Sequence, residues 1–150
     1  MEIIGNGNPI QTVDDWFRFA PPLGGSYHWR DGHSAKELAK AWCTEGIPGV
    51  PAGVEDFLHR IPGFSPIKPA RGYAEHRTPF DALRGEPCNA DLLLECESLP
   101  GPIAVLIEAK SREPFGDYMH NVVSQAAQKF SDEIRTNQFV RLQFLYKALF

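Results

Sequence analysis

The sequence predicts an α/β domain in which helices flank a small mixed β-sheet. Two apolar strand patterns meet at a Pro-Gly turn, helical patterns precede and follow them, and 43% of the 150 residues are hydrophobic. A chain of this length buries about 70% of the surface that its unfolded form exposes, which is enough for a real core. We therefore expect residues 1–150 to form a single domain.

The first 60 residues contain three helical patterns. Residues 16–19 fit one helical turn within a segment whose Gly, Pro and aromatic residues otherwise favour a packed loop. Ser34 and Glu37 match a capping box, in which each side chain bonds the backbone of the other, and apolar residues follow at helical spacing. This pattern predicts a helix over residues 35–44. A second short helix is predicted over residues 54–60, before a Pro and a Gly.

The middle of the chain carries the strand patterns. Five prolines punctuate residues 61–90, so we expect only short strands there, around residues 72–76. Residues 91–97 fit a strand, and residues 103–110 fit a second one that begins apolar on both faces, as a central strand does. Between them, Leu-Pro-Gly-Pro predicts a tight turn, because Pro fixes φ and Gly tolerates positive φ. These two strands are therefore predicted to form a hairpin.

The last third of the chain is predicted to be helical. An amphipathic pattern predicts a helix over residues 117–135 with Asp117 as its N-cap, and another predicts a helix over residues 139–150. The final helix shows no C-terminal cap, so we expect either that it docks tightly or that the chain is a truncated form of a longer protein. No strand pattern follows the 117–135 helix.

Charge and cysteine usage exclude several classes of protein. The 15 Lys and Arg against 19 Asp and Glu give a net charge of -4, which disfavours a simple architectural DNA-binding protein but allows an enzyme with local basic residues. No apolar run approaches the roughly 18 residues of a membrane span, and the N-terminus lacks a signal-peptide pattern. The three cysteines lack a pairing pattern, which favours free thiols in a reducing cytoplasm.

The predicted hairpin concentrates charge at one end. Its antiparallel strands bring Asp91 level with residues 108–110, and side-chain alternation places Glu108 and Lys110 on one face with Ala109 pointing away. The two carboxylates and the Ala109 carbonyl offer the hard oxygen ligands that Mg²⁺ prefers. Lys110 supplies a positive charge that could stabilise a phosphoryl transition state.

This pattern resembles the PD-(D/E)XK nuclease superfamily, in which an acidic residue opens one strand, E-x-K follows on the next, and a helix comes after. Pro87 stands four positions before Asp91 instead of adjacent to it, a spacing that members of the superfamily tolerate. The run EAKSREPFG from Glu108, and the GHSA of residues 32–35 before a helix carrying Trp42, are similar to an uncharacterised bacterial branch. The similarity covers about residues 25–150.

The resemblance implies a restriction-endonuclease-like fold, with a common αβββαβ core whose closing strand this sequence does not predict. It further implies a divalent-metal-dependent nuclease that hydrolyses phosphodiester bonds in nucleic acid, with DNA favoured over RNA. Asp91 and Glu108 match the metal ligands for Mg²⁺ or Mn²⁺, and Lys110 matches the catalytic lysine. No membrane partner is expected, and the sequence does not determine the oligomeric state.

Two further site residues are implied by the same resemblance. Superfamily members often carry an upstream acidic ligand, for which Glu75 is the candidate and Glu55 the rival. Some members also place a polar residue of the following helix at the site, and Gln125 is the candidate for that role.

Structural explanations compete with these assignments. Asp91 can simply open a strand after a turn, and Glu108 with Lys110 can form an exposed ion pair worth well under ~1 kcal/mol. The aromatic residues between Trp16 and Trp29 can pack in the core or form a base-stacking surface. The alternative function is a catalytically inactive nuclease-like interaction domain, or a subunit of a larger complex.

Overall fold

The computed structural model describes residues 1–44, 46–78, 88–112, 118–134 and 137. These residues divide between two compact units, of which the first contains all elements up to residue 112 and the second contains the helix that follows. Pro87, Asp117 and the helix predicted over residues 139–150 lie outside the described residues.

The first unit is built on a five-stranded mixed sheet. The strands in chain order are β1 (Glu2–Gly5), β2 (Asn8–Ile10), β3 (Cys43–Thr44), β4 (Ile47–Pro48), β5 (Lys68–Thr78), β6 (Cys88–Ser98) and β7 (Gly101–Ile107). The large sheet has the order β2-β1-β5-β6-β7, while β3 and β4 pair separately. β1 runs parallel to β5, and the other neighbouring strands are antiparallel. The predicted α/β class with a small mixed sheet is confirmed.

Four α-helices accompany the strands among the described residues: α1 (Val13–Phe19), α2 (Ser34–Trp42) and α3 (Ala52–Leu58) in the first unit, and α4 (Met119–Ser131) in the second. α1 is longer than the predicted turn because Thr12 and Asp15 form a capping box: the Asp15 N–H donates to the Thr12 hydroxyl, and the Thr12 N–H donates to the Asp15 carboxylate. α3 begins two residues earlier than predicted, since Pro51 supplies extended backbone at its N-cap. None of these helices is long and apolar enough to cross a membrane.

The start of α2 corrects the predicted capping box. The N-cap is His33, not Ser34, and its side chain makes no capping bond. The Glu37 carboxylate instead accepts the Gly32 N–H at 2.8 Å. This contact is possible because Gly32 adopts a φ of +80°, a conformation that favours glycine and turns its N–H toward the helix. The helix itself is confirmed and ends at Trp42 instead of residue 44.

The core of the first unit lies where α1 and α2 meet the sheet. Leu92 and Leu94 alternate on β6 and are fully buried, together with Ile3 from β1, Trp16 from α1 and Trp42 from α2. Burial of every second residue is expected for a strand that has one face covered by other elements and the other face open. Because Asp91 directly precedes Leu92, the same burial fixes where the acidic end of β6 lies.

β5 corrects the prediction of short strands before residue 90. It has 11 residues, and it accommodates Pro69 because the β5–β6 register shifts between Pro69 and Arg71. Its parallel neighbour β1 and the strand β2 were not predicted. Gly72 allows the close approach of β1, β5 and β6, since a Cβ there would lie 3.2 Å from a Leu92 methyl.

The predicted hairpin is confirmed. β6 and β7 pair from Leu92 opposite Ile107 to Ser98 opposite Gly101, around the predicted turn. The Ser98 hydroxyl donates to the Gly101 carbonyl at 2.6 Å, and Gly101 has a φ of +135°. β7 ends at Ile107, three residues earlier than predicted, so residues 108–110 extend beyond the strand.

The second unit contributes α4 to the described residues. This helix confirms the helical pattern after the hairpin, over residues 119–131 instead of 117–135, and its N-cap is Tyr118. Val123, Phe130 and Ile134, which the pattern assigns to an apolar stripe, are exposed.

The thiols of Cys43 and Cys96 are free and buried. Burial is the main cause that raises the pKa of Cys43 from 9.0 to about 11, and burial also raises the pKa of Cys96. We expect both thiols, in a Cys88→Ser variant, to react slowly with a chromogenic disulfide reagent at about pH 8 until the protein is unfolded, because the thiolate is the nucleophile.

The raised pKa of Cys43 predicts how the stability of the protein depends on pH. Because the folded state favours the protonated thiol, Cys43 contributes fully to the free energy of unfolding below about pH 9, and this contribution is lost as the pH rises toward 11. Cys43→Ser removes this titration and serves as the control. Rapid labelling of both thiols in the native Cys88→Ser protein would contradict this account.

Candidate functional site

The open end of the β6–β7 hairpin places Asp91 beside the segment that follows β7. Asp91 is half-buried, and its Oδ2 accepts the Ala109 N–H at 2.7 Å. The bond extends the pairing of Leu92 with Ile107 by one further step. The sequence prediction that Asp91 comes level with residues 108–110 is therefore confirmed.

Glu108 and Lys110 lie together, with Ala109 directed elsewhere. The Lys110 ammonium donates to Glu108 Oε1, and Ala109 packs against the hydrophobic core. The Glu108 side chain is 56% exposed and that of Lys110 is 23% exposed, so the lysine side chain is the more enclosed of the two. Glu108 and Lys110 thus lie on the same side of the chain, although β7 has already ended at Ile107.

The segment after Lys110 is tied to the start of α2. The Ser111 hydroxyl donates to the Gly32 carbonyl at 2.7 Å, while the Gly32 N–H donates to Glu37. The Arg112 guanidinium lies against Gly32, where a Cβ would be 3.6 Å from it. Gly32 therefore connects the Glu108–Lys110 segment to α2 through its backbone.

Glu75 joins Asp91 from the neighbouring strand. On β5 it lies between Ala74, which pairs with Leu92, and His76, which pairs with Ala90, so it stands opposite Asp91. Its φ of +50° is in the left-handed region, which is strained for a residue with a side chain. Strain of this kind occurs preferentially at functional sites.

Asn89 holds the Glu75 carboxylate. Its side-chain amide donates to Glu75 Oε2 at 3.0 Å. The sequence analysis did not select Asn89, although a signal was present: it stands two residues before Asp91 on the same strand, and alternate residues share a face.

Burial raises the pKa of Glu75, and the negative charges of Asp91 and Glu108 raise it further. The hydrogen bond from Asn89 and the charge of Arg77 act in the opposite direction. Asp91 and Glu108 are therefore close enough to Glu75 to disfavour its ionisation, and a positive charge placed beside Glu75 would relieve this repulsion.

A pocket of about 250 Å³ opens over these residues. Its polar wall comes from β5, β6 and the segment after β7, and its other wall comes from α2 and the loop that follows α1. The lining residues are Pro22, Leu23, His28, Ser34, Ala35, Glu75, Asn89, Asp91 and Lys110. The sequence pointed to three of them, Glu75, Asp91 and Lys110. It did not place Pro22, Leu23 and His28 at the site, because only the tertiary fold brings these residues to the hairpin.

Two candidates from the sequence remain, Glu55 and Gln125. Glu55 is exposed in the first turn of α3 and does not line the pocket, so the structure favours Glu75 over this rival. Gln125 is an exposed residue of α4 in the second unit, and its role at the site stays a prediction.

The described residues contain no group of three or more His, Cys, Asp or Glu side chains that is already arranged to hold a metal ion. Asp91 Oδ2 is bonded to the Ala109 N–H, and Glu108 Oε1 is bonded to Lys110. A cation would therefore have to compete with these partners for carboxylate oxygens.

One family model, described as a domain of unknown function (DUF6946), matches residues 9–150. No curated protein and no solved structure matches the chain.

Proposed function

The chain belongs to the DUF6946 family, and for it we propose the function of a divalent-metal-dependent nuclease with a restriction-endonuclease-like fold. Its substrate would be a phosphodiester of nucleic acid, with DNA favoured. The observation that carries the proposal is the bond from the Ala109 N–H to Asp91, because it brings the first acid of the motif to the Glu108–Lys110 pair.

The donor set suits a hard cation. Asp91 and Glu108, together with Glu75, would hold Mg²⁺ or Mn²⁺ through carboxylate oxygens, which both ions prefer. The raised pKa of Glu75 supports this assignment, since the charges of Asp91 and Glu108 contribute to it and a bound cation would offset them. When bound, the cation supplies polarisation of the phosphate and lowers the pKa of a coordinated water.

Lys110 would act on the charge that develops during hydrolysis. Water forms the new bond to phosphorus, the bond to the leaving oxygen breaks, and negative charge accumulates on the phosphoryl oxygens. Lys110 lines the pocket and its side chain is 23% exposed, so it would be held where its charge can stabilise the phosphoryl oxygens. Asn89 orients the Glu75 carboxylate.

The test is cleavage of plasmid and single-stranded DNA in Mg²⁺ or Mn²⁺, with Lys110→Ala as the inactive variant. We expect Lys110→Ala to stay folded and to lose cleavage by about a hundredfold, the effect of removing one group that stabilises a transition state. Cleavage should also stop when the metal is chelated.

Lys68→Ala is the matched control, since Lys68 is an exposed lysine near the other end of the same sheet, opposite Glu97. It should cleave as the unmodified protein does. Equal cleavage by the unmodified protein and Lys110→Ala would place the activity at another site or in a contaminant.

A second candidate is a nuclease-like domain that binds without catalysis. It is favoured by the Lys110–Glu108 bond and by the lack of a ready three-residue metal group among the described residues. Titration with Mn²⁺ by calorimetry separates the two functions. The catalytic proposal requires binding that Asp91→Asn weakens, whereas the second candidate requires no such binding.

A further inference from the structure

We propose that the pocket takes an unpaired nucleobase next to the phosphodiester, so that the substrate is single-stranded or locally unpaired nucleic acid. This inference rests on the proposed function and specifies its substrate class. It arises from the loop of residues 22–30, called the loop wall, of which Pro22, Leu23 and His28 line the pocket and Tyr27 lies next to His28. The catalytic assignment does not use this loop.

The two walls of the pocket differ in chemistry. Asp91, Glu75 and Lys110 provide charges on one side, while Pro22 and Leu23 provide apolar contact on the other. A nucleotide has the same division, with a charged phosphate at one end and a flat, largely apolar ring at the other. The volume of about 250 Å³ lies just below the range of about 300–1,000 Å³ for drug-sized ligands, which is the scale of one nucleotide.

The loop wall presents aromatic surface to the solvent. His28 lines the pocket, and its ring packs on Gly24, where a Cβ would approach within 2.6 Å. The Tyr27 ring lies 5.5 Å from the His28 ring and is part of a residue that is 64% exposed. The Arg30 guanidinium lies 4.9 Å from the centre of the Tyr27 ring and fixes its position through a cation–π contact.

Exposed aromatic rings are the side chains on which unpaired bases stack. Leu23 is 82% exposed and extends this surface. Other aromatic residues of the same region do not have this property: Trp16 is buried in the core, and Phe17 stacks on Trp29. Bases within a duplex have both ring faces covered by their neighbours, so only an unpaired base can offer a ring face to Tyr27 and His28.

Binding can be measured apart from cleavage. A fluorescein-labelled thymidine dodecamer and a duplex that contains it are titrated with the Lys110→Ala protein in Mg²⁺, and anisotropy is recorded. We expect the single strand to bind more tightly than the duplex. Adding Tyr27→Ala should weaken binding of the single strand by about 5- to 150-fold, the effect of losing one stacked base.

Two control variants define the role of the ring. Tyr27→Phe keeps the stacking face and should restore binding of the single strand. Phe57→Ala removes an aromatic residue of equal exposure, 65%, from α3, which does not line the pocket, and should leave binding unchanged. Thermal melting of each variant checks that it remains folded, as expected for substitutions of exposed side chains.

The outcomes separate this inference from the proposed function. If the protein cleaves duplex and single strand equally, and Tyr27→Ala changes neither cleavage nor binding, the stacking inference is wrong and the nuclease proposal stands. If no metal supports cleavage but binding of the single strand still depends on Tyr27, the nuclease proposal is wrong and the base-binding site stands.

Discussion

Asp91→Asn is expected to reduce metal-dependent cleavage by about a thousandfold while leaving the free energy of unfolding close to that of the unmodified protein. The amide carries no charge and is a poor ligand for Mg²⁺, so the loss reaches the upper end of what removing one electrostatic group costs. The Asn oxygen can still accept the Ala109 N–H that Asp91 Oδ2 accepts at 2.7 Å. Cleavage is followed on plasmid DNA, and stability is followed by urea unfolding.

Asp91→Ala separates the chemical role of this residue from its structural role. It removes the acceptor as well as the charge, so the Ala109 N–H loses its partner and stability should fall by about 1 kcal/mol. Both variants should be inactive, but only Asp91→Ala should be less stable.

Glu95→Gln is the matched control for the loss of charge. Glu95 is an exposed acid on the same strand, and its carboxylate accepts the Tyr73 hydroxyl at 3.0 Å. This variant should retain full activity. If Asp91→Asn also cleaved at the unmodified rate, the proposed site would have no part in the reaction.

Trp42→Ala is expected to lower the free energy of unfolding by about 3–5 kcal/mol, the usual range when a large aromatic side chain is removed from a core. Trp42 is 1% exposed and belongs to the core cluster that joins α2 to the sheet. Urea unfolding followed by circular dichroism measures the change without depending on the tryptophan signal.

Phe57→Ala provides the comparison, because Phe57 is 65% exposed and its removal leaves no cavity. Its effect should remain within about 0.5 kcal/mol. A loss below about 1 kcal/mol for Trp42→Ala would mean that burial of α2 contributes little to holding the first unit together.

The acidic end of the hairpin could be predicted from the sequence because all its determinants are local. A Pro-Gly turn sets the register, and the register alone places Asp91 level with Glu108 and Lys110. A one-residue slip would move every buried side chain of β6 to the other face, so the apolar pattern fixes the alignment.

Two features could not be predicted because they depend on distant parts of the chain. β1 pairs in parallel with β5 across about 70 residues of sequence, and no local pattern specifies that pairing. Proline is unfavourable inside a strand, so Pro69 predicted a shorter β5. A register shift between β5 and β6 accommodates this proline within the strand. Pro22, Leu23 and His28 could not be assigned to the pocket for the same reason, since they reach the hairpin only through the packing of α1 and α2.

Only part of the environment of Glu75 could be predicted from the sequence. Its position upstream of Asp91 made it a candidate, but its φ of +50° and its bond to Asn89 are visible only in the structure. The choice between Glu75 and Glu55 required the β5–β6 register, which a single sequence does not contain.

The hydrogen bond between Ser111 and Gly32 has a consequence for how the protein is made. These residues stand 79 positions apart, so Gly32 leaves the ribosome long before its partner is synthesised. Until residue 111 has emerged, the nascent chain cannot close this loop, and the lysine of the proposed site cannot be anchored to α2. Fragments that stop before that point are therefore expected to be inert, however well their N-terminal helices form.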